Sequence, residues 1–592
     1  SGTLCTSEED PDYKDFELPV VEDRRFTDFP GIIVFLAVLI GMCVAMHMGL
    51  AYGKPTVFTN GVDSWGNICG QTNTAHSGVE YSGKDMTNFK RVLIADFLSN
   101  PDALTATGKT TTLCVRLCPL VTSSFQCQDY LANKSNYNDA IANAACQGVG
   151  GKDLAFDEKN NRCVPSHAVK GLSIQKQNAL LNLYSQDWLH NLVHDCHVCA
   201  AELTWITLIA FAFTLVFLAV MQGASSALCY FSFATFFVVG GAATGYMWYL
   251  YTLINAVDSG LSVNSPSGRS LFAENAGYSV VFRDTAIVCT VIVVGFSIIC
   301  VLVSRRGMDA CAVLFEYATE AIMEIKWVYL LPLYTIASLA FGFGLWLYTI
   351  KHITAVFKPQ LLTSTVQGSG LATASYVPDT TYSTWVLVFE FVAIIWIMNF
   401  VLACQHLMTS LVVGTWYFSV DKTEMYRPMR VATSRLIRKH LGSAVIGSFF
   451  SGYFGLLRSP LSYVNSGCSP FFWFLNHVLV YISDMNYHMV SLKGCWFFTA
   501  GKLIRDRLEV SPGITAISSF ALFLGKMTVT LSVLPFGFLL LKDKVGVFMY
   551  GYPLAVGALL SFLVAHVFIS MFNAAVGAVF VCYVEDTAIN AG

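Results

Sequence analysis

From Thr384 to Phe418 the chain reads TWVLVFEFVAIIWIMNFVLACQHLMTSLVVGTWYF, with Glu390 as its one formal charge. A helix needs about 20 apolar residues to cross a bilayer. This run exceeds that, which predicts a spanning helix that is tilted, kinked or projecting. The same reading finds further runs at Ile32–Ala51, Glu202–Met221, Ala227–Tyr251, Arg283–Val303, Trp327–Ile350, Ile514–Leu541 and Met549–Val581. Two shorter apolar pieces, Leu441–Leu457 and Phe471–Ile482, form a ninth and tenth span or else lie in the interface or re-enter. Met308–Lys326 carries Glu316, Glu320 and Glu324 on one helical face with apolar residues opposite, the pattern of an interfacial amphipathic helix.

Composition agrees. Hydrophobic residues make up 55% and charged residues 13%, about half the roughly 25% charge of a soluble chain. The expected fold is therefore an all-α polytopic membrane protein of about ten helices. The first thirty residues are acidic and polar, so no cleavable signal peptide is expected. Lys and Arg set the orientation. Arg24 and Arg25, Arg305 and Arg306, the run Lys422, Arg427, Arg430, Arg435, Arg438, Lys439, and the group Lys493, Lys502, Arg505, Arg507 fall on one side of an alternating topology. Both termini are then cytoplasmic. Residues 1–31 form a cytoplasmic segment, 32–51 the first span, 52–200 an extracellular disulfide-rich domain, and 201–592 the transmembrane domain. A basic cytoplasmic segment lies at 419–445. The stretch Arg435–His440 reads as an anchor to anionic lipid, with a gate as its second reading.

The outer segment holds Cys69, Cys114, Cys118, Cys127, Cys146, Cys163, Cys196 and Cys199. An even count in an oxidising compartment suggests four disulfides whose pairing stays open. Asn133-Lys134-Ser135 is a glycosylation sequon in the same segment. Gly108-Lys109-Thr110 has Ala103 where a phosphate-binding loop needs its upstream glycine, so no nucleotide site is expected. His194, Cys196, His197 and Cys199 could form a metal cluster, but disulfides suit the compartment better, and no metal is expected.

Ionisable groups inside spans are costly, at about 2.5–3.5 kcal/mol or more each, and mark functional positions. Glu390, Lys526 and His566 are such groups. A channel would show a repeated pore motif, and no internal repeat is visible. A non-transporting cell-surface receptor or scaffold built on the outer domain would not need these three buried groups. No convergent nucleophile, base and metal set points to an enzyme, no cofactor motif is present, and nothing suggests nucleic acid.

Several stretches carry a family likeness. They are Asp23-Arg24-Arg25-Phe26-Thr27-Asp28-Phe29-Pro30, Asp63-Ser64-Trp65-Gly66-Asn67-Ile68-Cys69-Gly70, Cys114-Val115-Arg116-Leu117-Cys118-Pro119, Trp396 through Phe400 to Gln405, Arg435-Leu436-Ile437-Arg438-Lys439-His440-Leu441-Gly442-Ser443 with Gly447-Ser448, Phe523-Leu524-Gly525-Lys526, and Phe562-Leu563-Val564-Ala565-His566. In this order and spacing the chain resembles the choline transporter-like solute carrier family. The resemblance implies sodium-independent transport of choline and ethanolamine, a proposed exchange for protons, and a place in the plasma membrane and, for some members, mitochondria. Asn399 and Asn573 stand where related members often carry a glutamate, which removes a titratable group from both positions.

Choline is a permanent cation whose nitrogen donates no hydrogen bond. Aromatic faces attract it by about 0.5–2 kcal/mol per ring, and such sites form near small-residue helix segments at mid-membrane depth. The candidate substrate residues are Tyr246, Trp248 and Tyr249 after the run Gly240–Gly245, Trp346 and Tyr348 after Gly342 and Gly344, Trp396, Asn399 for the hydroxyl, and Glu390 for the charge. Lys526 and His566 are candidates for coupling or structural polar roles. Besides organic cations the expected partners are membrane lipids, with the protein a monomer.

Overall fold

The computed structural model describes residues 24–94, 112–118, 156–159, 161–165, 188–223, most of 237–252, 279–365, 372–378, 380–420, 422, 427–463, 484–508, 512–541, 544 and 551–590. Among these residues, six helices are long and apolar enough to cross a membrane: Phe29–Tyr52, Ala200–Met221, Lys326–Ile353, Thr384–Phe418, Ser518–Leu541 and Gly551–Asn590. In chain order the helices are α1 (Phe29–Tyr52), α2 (Trp188–Val198), α3 (Ala200–Gly223), α4 (Ser279–Glu324), α5 (Leu330–Ile353), α6 (Thr380–Phe418), α7 (Pro428–Arg435), α8 (Leu441–Tyr463), α9 (Met485–Lys493), α10 (Phe497–Leu508), α11 (Pro512–Leu541) and α12 (Gly551–Asn590).

Pro30 suits the first turn of α1, where its missing N–H costs nothing. This helix is apolar all round and buries chiefly Gly31, Phe35, Ala45 and Gly49, leaving the rest of its surface for lipid. α6 has 39 residues, about 58 Å of helix at 1.5 Å per residue against a hydrocarbon thickness of about 30 Å. The excess length projects, and the projecting part is buried in protein. Leu407, Leu411, Val412 and Val413 of α6 pack with Phe568, Ile569, Met571 and Phe572 of α12 in the main core. α12 rests on α11, α6, α3 and α4, while α1 rests on α5 and α8.

The start of α1 and the ends of α4, α6 and α12 meet at one end of the bundle. Trp416 Nε1–H donates to Glu324 (2.5 Å), and Lys493 pairs with Glu585 (2.9 Å). The basic segments lie here, so we term it the basic end. At the opposite end the Lys54 N–H donates to Ala355 O (2.8 Å), and Lys544 pairs with Glu202 (2.5 Å).

Three expectations change. The span at Arg283–Val303 and the amphipathic stretch Met308–Lys326 join in one 46-residue helix, α4. Its Glu face is exposed as expected, but Cys311, Phe315, Ala318 and Ile322 pack into the bundle core rather than lying on lipid. The disulfide-bonded segment within 52–200 is not purely helical. Strands β1 (Arg91–Ile94), β2 (Thr112–Val115), β3 (Phe156–Lys159) and β4 (Arg162–Pro165) form a sheet in the order β2-β1-β4-β3, and β5 (Phe357–Thr365) with β6 (Ala372–Pro378) forms a hairpin between α5 and α6. Two disulfides staple the sheet, Cys69–Cys114 and Cys118–Cys163. Cys196 and Cys199, in the helical turn that carries α2 into α3, stand as free thiols and not as a disulfide. Cys127, Cys146, the sequon at Asn133, the piece Phe471–Ile482 and most of the span after Ala227 lie outside the described residues.

The motif at Asp63–Gly70 builds the core turn of the disulfide-bonded domain. The Asp63 carboxylate accepts the N–H groups of Trp65 (3.0 Å) and Asn67 (2.7 Å) and the Asn67 amide (2.7 Å). Asn67 in turn donates to Tyr81 O (2.8 Å) and accepts from Lys84 N–H (3.0 Å), over a fully buried Trp65. Satisfying these buried groups locally gives the motif a structural role.

Candidate functional site

Glu390 lies ten residues from the start of α6, on the side away from the basic end. It is fully buried, and neither carboxylate oxygen has a hydrogen-bond partner among the described residues. One residue on, Phe391 packs edge-on against Trp346 of α5, with ring centroids 5.1 Å apart, and Phe343 stacks on the same indole at 5.5 Å. Trp346 is 7% exposed, and its Nε1–H also lacks a partner among the described residues. A buried carboxylate and a buried indole N–H without partners are each costly unless something binds them. Trp346 thus joins Phe343 and Phe391 in a three-ring cluster on the α5–α6 seam, and Glu390 precedes Phe391 on α6.

Trp396, two turns deeper, is differently engaged. Its Nε1–H donates to Val445 O (3.1 Å) and Ser448 Oγ (3.2 Å) of α8. Phe35 of α1 and Phe449 of α8 flank it at 5.2 and 5.0 Å. The ring joins α6 to α1 and α8. Asn399 turns its amide back to Ile395 O on its own helix (2.8 Å) and lies against Gly452.

The remaining aromatics do not converge on this seam. Tyr246 and Tyr249 are 60% and 58% exposed. Trp248 donates to Thr290 Oγ1 of α4 (3.0 Å) and packs on Tyr251. Tyr348 is 48% exposed and lies against the His352 ring. Such placements suit interfacial anchors. A cavity of about 350 Å³ runs along α1, lined by Leu36, Leu39, Ile40, Cys43, Val44 and His47. It has no carboxylate and no aromatic wall, so it does not suit an organic cation.

Lys526 and His566 do meet, Nζ to Nδ1 at 3.2 Å, between α11 and α12. They begin a polar ladder that sequence reading missed in part. One turn further along α12, Ser570 Oγ lies 2.7 Å from His406 Nε2 of α6. Ser410 donates to the His406 carbonyl (2.6 Å) and sits 2.6 Å from His488 Nδ1 of α9. His488 can approach α12 only because residue 577 is glycine: a Cβ there would stand 2.3 Å from His488 Nε2. Gln405 donates to Val567 O (2.8 Å) between the same helices. His406 follows the quoted motif ending at Gln405, which was its only signal in the sequence. His488 had none. Among the described residues no group of three His, Cys, Asp or Glu residues could hold a metal.

At the basic end the opening motif meets the Arg435–Ser443 motif. Thr27 N–H donates to Lys439 O (2.9 Å), as does its hydroxyl (3.0 Å), and Thr27 Oγ1 lies 2.7 Å from Ser443 Oγ. The Asp28 carboxylate accepts from the Ser443 hydroxyl and from Phe497 N–H (3.0 Å) at the start of α10. Arg24 reaches His440 Nε2 (3.1 Å). Burial pushes Asp28 above its ordinary carboxylate range, with the Ser443 and Phe497 bonds pulling the other way. Burial, then Arg24, Arg435 and Lys439, push His440 down to about 3, so it accepts from Arg24 as the neutral ring.

Comparison with known proteins gives the arrangement its context. The family described as plasma-membrane choline transporter matches residues 287–588, more than half of the chain. Choline transporter-like protein 1 of Rattus norvegicus is 26% identical over 612 residues, covering 97% of this chain and 90% of its own. The protein of the same name from Torpedo marmorata is 25% identical, covering 97% and 91%. Choline transporter-like protein 3 of Bos taurus is 24% identical, covering 96% and 89%. The match includes the α5–α6 seam, the polar ladder and the basic-end motif of α8, and it identifies this multi-pass membrane protein as a member of the plasma-membrane choline transporter family.

Proposed function

We propose that the chain is a carrier moving choline, and ethanolamine with it, across the plasma membrane without sodium, by uniport or by exchange for protons. The observation that carries this reading is Glu390, buried and unpartnered among the described residues and adjacent in sequence to Phe391, whose ring packs on Trp346. A methyl-shielded cation fits such a site. It offsets the carboxylate's charge without needing a hydrogen bond from nitrogen, and it gains about 0.5–2 kcal/mol from each aromatic face it meets. Trp346, Phe343 and Phe391 are the proposed walls, and Trp396 and Asn399 lie deeper on the same helix.

Lys526 is a poor contact for a cation, because like charges repel. Its pairing with His566, continued by Ser570, His406, Ser410 and His488, makes the ladder the proposed place for a proton if exchange occurs. An inside-negative potential favours cation entry by about 2.3 kcal/mol per 100 mV, some fiftyfold at equilibrium, so uniport alone would accumulate choline. The reading puts both termini in the cytoplasm and the disulfide domain outside, with a glycan on Asn133.

Uptake of labelled choline into proteoliposomes tests it. Saturable, potential-dependent uptake that persists without sodium and is competed by ethanolamine is expected. Folded protein that gives no uptake, or uptake that never saturates, would contradict the carrier reading.

A further inference from the structure

We infer that the junction of residues 24–28 with 439–443 and 494–497 is the gate that closes the basic end of the bundle and parts once in each transport cycle. The inference rests on the carrier reading above.

Three chain segments far apart in sequence meet at this junction, and each leads into a different helix: α1, α8 and α10. They are joined by directional polar bonds at Thr27, Asp28, His440 and Ser443. Bonds of this kind hold one geometry and can be exchanged for water when the segments separate. The fit is close. A Cβ on Gly442 would stand 2.3 Å from Thr27 O and 2.5 Å from Asp28 O, and one on Gly494 would stand 3.1 Å from the Arg24 side chain. Thr27, Asp28, His440 and Ser443 are all buried, so the contact seals as well as joins.

The backbone around the junction is irregular where a moving part needs it to be. Residues Leu436–His440 form a single π-helical turn between α7 and α8, a feature found as a local bulge at functional sites. Asp28 and Arg427 hold positive φ, 58° and 46°, a conformation disfavoured for residues with a side chain. One lies at the start of α1 and the other at the start of α7. α1 is also loosely embedded, with most of its surface exposed. Closure at this end contrasts with the unsatisfied groups at Glu390 and Trp346 toward the other, as expected for a carrier with its binding seam closed off from one side.

A cross-link tests the inference. Thr27→Cys with Ser443→Cys places two thiols where hydroxyls now lie 2.7 Å apart, with Cys495→Ser to remove the neighbouring thiol. The reduced variant is expected to take up choline in proteoliposomes. Oxidation with copper phenanthroline, with the bond verified by peptide mass, is expected to lower uptake at least tenfold, leave choline binding in detergent intact, and be reversed by dithiothreitol. Uptake at the reduced rate with the cross-link complete would overturn the gate. So would loss of choline binding along with transport, since the junction would then build the site and not gate it. Should the paired variant not transport when reduced, Ser443→Cys alone decides. Its labelling by a membrane-impermeant maleimide from the basic side should rise severalfold with choline present, and an unchanged rate overturns the proposal. Wild-type protein that moves no choline would remove the carrier reading itself, a result separable from all of these.

Discussion

Glu390 and Trp346 on the α5–α6 seam and the basic-end junction both present buried polar groups, but their hydrogen bonding is opposite. At the junction Thr27, Asp28, His440 and Ser443 each have a partner within 3.1 Å. At the seam Glu390 and the Trp346 Nε1–H have none among the described residues. A satisfied buried network holds parts of a fold together. An unsatisfied carboxylate keeps its full desolvation cost until a ligand arrives. The difference separates residues that position the helices from those that meet the substrate, and it places Trp396 with the first group.

That separation can be broken by experiment. Trp396→Ala removes a buried indole packed by Phe35 and Phe449, a loss of about 3–5 kcal/mol in stability. The expected result is a large fall in folded yield and thermal midpoint, with the choline KM of the remaining folded protein unchanged. A raised KM with unchanged stability would move Trp396 to the substrate site. Asp28→Ala leaves the buried Phe497 N–H without its acceptor and removes one from Ser443, for about 1–3 kcal/mol, and should lower the thermal midpoint. A variant as stable as wild type would show that the junction contributes nothing to the closed state.

The pH dependence of His440 is a further test. The folded protein keeps this ring neutral down to about pH 3, whereas the unfolded chain protonates it below about pH 6.5. Between these values the unfolded state holds more protons, so stability falls as pH drops from 6.5 toward 3. In thermal melts His440→Gln should flatten part of that slope, and an unchanged slope would remove His440 as its source.

Much of this was legible in the sequence. Long apolar runs are read by length alone, so α1, α3, α5, α6, α11 and α12 were visible. The four-stranded sheet was not, because strands of four residues such as Arg91–Ile94 are too short to show a period of two. The join of Arg283–Val303 to Met308–Lys326 was hidden by Arg305 and Arg306, which mark a span's end but do not break a helix. Among site residues, Glu390, Lys526 and His566 stood out because charge inside an apolar run is rare. Aromatics are too common in membrane helices to be sorted without packing. Trp346 and Trp396 looked alike until their Nε1–H groups were traced, one idle and one bonded to α8. His488 could not be found, since its role depends on Gly577 nearly ninety residues away.

The central claim is that Glu390 is the counter-charge for the transported cation. Choline uptake by Glu390→Gln in proteoliposomes, compared with wild type at equal folded amounts, tests it most directly. Removing the charge at a buried site is expected to lower kcat/KM for choline at least tenfold, about 1.4 kcal/mol. The thermal midpoint should hold or rise, because a costly unpaired carboxylate is gone. Wild-type uptake by Glu390→Gln, or a variant that merely fails to fold, would contradict the account.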